Sequence, residues 1–109
     1  SRGLGDVYKR QGYDDGYIEV DIRHDGKEKE LLFNGKNEWI RTSWEIRYNE
    51  LPSAVTSALE AEGYQRDDDE VEVVQTPDAS WYEVEVRRQG REYKVFIDES
   101  GKIIKVVED

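Results

Sequence analysis

The chain has 109 residues, of which 26 are Asp or Glu and 16 are Lys or Arg, giving a net charge of −10 at pH 7. That length fits one domain. The lack of cysteine excludes disulfides, thiolate metal sites and cysteine nucleophiles, and the acidic balance argues against a nucleic-acid partner, which needs a basic footprint. No apolar run approaches the ~20 residues of a membrane-spanning helix.

Residues 1–16 read as a leader outside the fold. Ser1 to Gln11 show neither helical nor strand periodicity and resemble an adapter-derived, non-native extension, without the apolar h-region of a signal peptide. Gly12 to Gly16 form a polar lead-in.

From Tyr17 the pattern is β. Ile18, Val20 and Ile22 alternate with Glu19, Asp21 and Arg23, the period-2 signature of a strand with one buried face. Asp25-Gly26 follows, a dipeptide suited to a type I′ turn because both central residues need positive φ. A two-residue loop sets the register: His24 faces Lys27, Arg23 faces Glu28, Val20 faces Leu31 and Ile18 faces Phe33. The apolar residues then share one face, as a consistent register requires. The like-charged pair Asp21 and Glu30 falls on the other.

Tyr17–Thr42 aligns without a gap to Trp81–Val106. The identities are Glu19/Glu83, Val20/Val84, Arg23/Arg87, Gly26/Gly90, Glu28/Glu92 and Ile40/Ile104. Gln89-Gly90 replaces Asp25-Gly26, and Gly101 stands where the first copy has Asn37, both compatible with a left-handed turn position. The sequence thus reads as an internal repeat of a three-stranded meander.

Between the copies, Trp44, Ile46 and Tyr48 extend the third strand, with a bend expected near Ser43. Pro52 suits a first helical turn, and Leu51, Val55, Ala58 and Leu59 recur at helical spacing. Gly63 supplies a left-handed stop against which Tyr64 can pack. Gln65–Asp69 reads as a polar loop, Val71 and Val73 as a strand. The expectation is an α+β fold: an antiparallel sheet of two related three-to-four-stranded meanders with one helix packed on one face. Residues 17–50 form a first unit lacking its helix, as though its front end were cut off, and 51–109 a second with helix and four strands, together one compact domain.

The short helix start Leu51-Pro52-Ser53-Ala54-Val55, the strand WYEVEV from Trp81, the tight glycine turn and the closing strand from Phe96 to Ile104 resemble the PepSY-like, β-lactamase-inhibitor-like family of exported bacterial proteins. That resemblance implies tandem helix-then-sheet units, a periplasmic or secreted location, a binding or inhibitor-like role and no catalytic residues to carry over.

The residues add little chemistry. His24, the sole histidine, stands beside a turn with no second metal ligand at a recognised spacing. No serine lies in a nucleophile-elbow motif, and no glycine run forms a nucleotide loop. Asp67-Asp68-Asp69-Glu70 lacks calcium-loop spacing and reads as a solvated loop. Asp98 to Gly101 reads as a hairpin turn. The reading is a non-enzymatic protein without cofactor or resident metal, with a protein or peptide as partner; the oligomeric state is left open, with a monomer favoured. The binding candidates are Asp21, Glu30, Trp81, Glu83 and Phe96, on the sheet face opposite the core. The alternative is a structural or ligand- or cation-sensing module with weak metal binding at the acidic run Asp67–Glu70.

Overall fold

The computed structural model describes residues 6–12 and 16–109. Its element order is β1 (Asp6–Gly12), β2 (Ile18–His24), β3 (Lys27–Phe33), β4 (Trp39–Arg47), a 3-10 turn (Tyr48–Glu50), α1 (Ser53–Ala61), β5 (Gln65–Gln75), β6 (Ser80–Arg88), β7 (Arg91–Ile97) and β8 (Ile103–Glu108). The strands follow chain order in one eight-stranded antiparallel sheet. The α+β expectation, antiparallel sheet plus one helix, holds. Contacts divide the chain into two units, Ser1–Glu45 with Val74–Ala79, and Ile46–Val73 with Ser80–Asp109.

In the first unit the β2–β3 hairpin has the register expected from its turn: Ile18 opposite Phe33, Val20 opposite Leu31, Asp21 opposite Glu30 and His24 opposite Lys27. Asp25 and Gly26 take φ of 54° and 74°, the left-handed values that a type I′ turn demands. The β3–β4 turn is built by Asn34, whose Oδ1 accepts the N–H groups of Lys36 and Glu38, with Asn37 at φ 62°. β4 runs on through Ser43 to Arg47 as one strand.

The leader expectation is corrected over residues 6–12. They form β1, antiparallel to β2, with a register shift between Val7 and Lys9. The outer edge of β2 presents a row of backbone donors and acceptors, and an extended segment satisfies them whatever its side-chain pattern. Residues 1–5 and 13–15 of that leader lie outside the described residues.

The second unit repeats these registers. Tyr82 faces Ile97, Val84 faces Val95 and Arg88 faces Arg91. Gln89 and Gly90 take φ of 53° and 78°. In the β7–β8 turn Asp98 Oδ1 accepts from the N–H groups of Ser100 and Lys102, as Asn34 does in its own turn, and Gly101 at φ 92° occupies the place of Asn37. This is the hairpin turn that the sequence suggested. The hydrogen bonds from Ser100 and Lys102 hold the Asp98 carboxyl below its ordinary value.

The helix starts after Pro52 and ends in a Schellman motif: Gly63 at φ 80° donates to the Glu60 carbonyl and Tyr64 to that of Leu59. Its buried stripe, Val55 and Leu59, joins Leu51, Tyr64, Val71, Val84, Val86, Val95 and Ile97 in one core. Each such side chain contributes about 1.5–3 kcal/mol on burial.

A second correction concerns Gln65–Asp69. Instead of a loop, these residues open the 11-residue strand β5. Charged side chains carry no apolar alternation to read, yet here arginines neutralise them. Arg87 donates to Asp67 Oδ1 through Nε at 3.1 Å and Nη2 at 3.0 Å, and Arg47 reaches Asp69 at 2.8 Å.

Candidate functional site

The five candidate residues fall into two groups. In the second unit, alternation along β6 and β7 puts Trp81, Glu83, Glu85, Lys94 and Phe96 on the face opposite Val84, Val86 and Val95. Glu83 is paired directly with Phe96. The Trp81 indole N–H donates to Glu83 Oε2 at 3.0 Å, fixing the ring beside the carboxylate. Lys94 Nζ stands 3.9 Å from Glu83 and 3.7 Å from Glu85, and Lys105 Nζ lies 4.6 Å from the centre of the Phe96 ring. Both aromatic rings are half-buried.

Glu85 was not singled out by the sequence. Burial pushes its carboxyl up to about 7; the hydrogen bond that its protonated form donates to Asp109 and the Asp109 charge push the same way, and Lys94 opposes them. Nothing in local sequence pairs residue 85 with residue 109.

In the first unit Asp21 and Glu30 are cross-strand partners, and Glu19 joins them. One carboxylate oxygen from each of the three lies within 4.8 Å of the others. The like-charge pair legible in the sequence is therefore the centre of a three-carboxylate cluster. Its burial differs from the expected exposed rim: Glu30 is exposed, but Asp21 retains only 8% of its accessible surface. Asp21, Glu19 and Glu30 all take part in polar or electrostatic contacts.

The remaining features are structural. His24 Nδ1 is 3.5 Å from Asp25 Oδ2 at the turn. Asp68 Oδ1 accepts from the Glu70 N–H within β5. The acidic run thus offers a cation few uncommitted oxygens, against the six to eight that calcium takes. Among the described residues no helix is long and apolar enough to cross a membrane.

The arrangement is that of a small antiparallel α+β domain with polar, aromatic sheet faces. Solved structures of the same class are similar to it. A BLIP-like protein from Bacteroides fragilis NCTC 9343 matches with a TM-score of 0.78 and 25% identity, over 97% of this chain and 76% of that one. A DUF2874 family protein from Bacteroides uniformis ATCC 8492 matches at TM-score 0.75 and 24% identity, over 94% and 78%. A protein of Bacteroides eggerthii DSM 20697, described among "putative periplasmic proteins", matches at TM-score 0.71 and 20% identity, over 94% and 78%. No curated protein matches. Residues 16–105 match the family model described as "Putative beta-lactamase-inhibitor-like, PepSY-like", and the chain belongs to that family.

Proposed function

We propose that the protein is a non-enzymatic domain of the cell envelope, periplasmic or secreted, that binds a protein or peptide through the sheet face opposite its helix. The observation that carries this reading is the patch on β6 and β7. There Trp81 and Phe96 are anchored side chains of the type that dominates protein interfaces, held in place by Glu83 and Lys105 before any partner arrives. Glu83 there, and Asp21 and Glu30 in the first unit, favour a partner with basic residues, whose approach the net charge of −10 accelerates. The family description and the Bacteroides fragilis relative support an inhibitor-like role, and the Bacteroides eggerthii relative supports export. The reading takes 17–50 and 51–109 as two copies of one unit, supported by their shared registers and turn geometry, in a monomer.

Selection from a displayed peptide library tests it. Enrichment of Lys- and Arg-containing sequences is expected, with affinity falling as salt rises and dropping at least tenfold, in order of magnitude, in Trp81→Ala combined with Asp21→Lys. Peptides whose affinity ignores both the double substitution and salt would contradict it.

The alternative, a cation-responsive structural module, draws support from the Glu19, Asp21 and Glu30 cluster more than from Asp67–Glu70. A melting temperature unmoved by millimolar calcium removes that reading.

A further inference from the structure

In the second unit a chain of polar side chains leads across the sheet to Trp81. The Trp81 indole N–H donates to Glu83 Oε2 at 3.0 Å, and the other oxygen of Glu83 stands 3.9 Å from Lys94 Nζ. The same ammonium lies 3.7 Å from Glu85 Oε1. Glu85 is hydrogen-bonded to Asp109, whose backbone N–H donates to the Glu92 carbonyl at 3.0 Å. One ammonium thus serves two carboxylates and sits tightly against neither. Both are sheltered, the Glu83 side chain 15% and the Glu85 side chain 30% exposed. Two carboxyl groups hydrogen-bond each other only when one of them keeps a proton. Burial above all places that proton on Glu85.

The charges that face Glu85 come from four strands. Lys94 lies opposite on β7, Asp109 follows β8, Asp68 belongs to β5, and Glu83 and Arg87 share its own strand and face. Arg87 is committed to Asp67 through two donors and has Glu92 opposite, while Lys105 stands over the Phe96 ring. Among the described residues Lys94 is therefore the cation placed to answer a change of charge at Glu85. The first unit has no such arrangement: the places of Glu83, Glu85 and Lys94 are taken by Glu19, Asp21 and Glu30, with a carboxylate where the ammonium stands.

We propose that Glu85 and Lys94 form a proton-operated relay that sets the charge beside the Trp81 anchor. With Glu85 protonated, Lys94 neutralises Glu83. When Glu85 gives its proton to solvent, Lys94 is drawn to the new carboxylate, and Glu83 keeps the indole N–H but is released to meet a cationic group. The relay rests on the binding role proposed for this sheet face and supplies its regulation. Basic partners are held more tightly above about pH 7 than below it, by about twofold to fivefold, the scale of one partly exposed ion pair.

Side-chain NMR of the partner-free protein from about pH 5 to pH 8 tests the relay. The Glu85 carboxyl carbon should titrate with a midpoint of about 7. The Trp81 indole N–H, acting through Glu83, should shift with the same midpoint, while the indoles of Trp44 and of Trp39, which is bonded to Thr42, stay still. Glu85→Gln should abolish the Trp81 titration. Lys94→Met should leave Glu85 titrating at a higher pH and uncouple the indole from it. A Trp81 signal that does not move, that moves equally in Glu85→Gln or that still titrates in Lys94→Met would overturn the relay. So would a Glu85 carboxyl carbon that titrates in the ordinary carboxylate range, a result read on the parent protein alone. Failure to select any peptide would sink the binding role and leave these titrations unchanged, whereas a still indole beside salt-sensitive peptide binding would sink the relay alone.

Discussion

The β2–β3 and β6–β7 hairpins share register, turn type and the order of apolar residues, yet one is dry on its apolar face and the other is open. Val84 and Val20 occupy the same place in their hairpins, but Val84 is fully buried and Val20 is not. The acidic faces differ in the reverse sense. In the second hairpin Glu83 and Glu85 remain partly exposed around Lys94, whereas in the first Asp21 is buried among carboxylates. Alternation and turn geometry therefore decide which side chains share a face, and what lies over that face decides its burial and energetics.

That contrast can be broken most forcefully at the helix. Leu59→Ala should cost about 2–5 kcal/mol in urea unfolding, since a fully buried leucine leaves a cavity. Val84→Ala should follow at about 2 kcal/mol, while Val20→Ala, at the matching half-exposed position, should cost less than about 1 kcal/mol. Equal losses at residues 20 and 84 would mean that the two faces are equally covered.

Exchanging the turn residues sharpens the comparison. Gly101→Asn should destabilise by about 1–3 kcal/mol, because the new Cβ meets the Ala54 carbonyl of α1. Asn37→Gly should change stability by less than about 1 kcal/mol, since φ is already left-handed there. Thermal melts of the two reciprocal variants compare the turns directly.

A smaller effect is expected from Glu85. Its folded-state value of about 7 lies above the ordinary 4.5, so between those values the folded chain keeps a proton that the unfolded chain has released. The stabilisation is complete below pH 4.5 and disappears as pH rises through 7. Glu85→Gln should flatten this pH dependence and raise the urea midpoint at pH 8 relative to the parent. A parent midpoint that does not fall between pH 5 and 8 would contradict the assignment.

Smallest of all is the exposed Arg23–Glu28 pair of the first hairpin, 3.0 Å apart with both side chains more than 60% exposed. Arg23→Ala should shift stability by no more than about 1 kcal/mol, less at high salt. A larger loss would show that surface charge holds the first hairpin together in the absence of a dry core.

Much of this could be read directly from residues. Asp25-Gly26 and Gln89-Gly90, flanked by alternating side chains, define both hairpin registers; Gly63 followed by Tyr64 marks the end of the helix. The first half of β5 could not be read in that way, because Asp67 and Asp69 owe their strand setting to Arg87 and Arg47, distant in sequence. β1 escaped notice because pairing to a strand edge uses backbone groups common to every residue. Of the candidate site, the Asp21–Glu30 opposition and the placement of Trp81, Glu83 and Phe96 were legible from alternation. The burial of Asp21, the addition of Glu19 and the Glu85–Asp109 contact depend on tertiary neighbours.

The most direct measurement is the solvent accessibility of the methyl groups, read from NMR line broadening by a soluble paramagnetic agent. The methyls of Val84, Val86, Val95 and Ile97 should stay sharp, while those of Ile18, Val20 and Leu31 broaden strongly. Equal protection of the two sets would contradict the open face on the first meander.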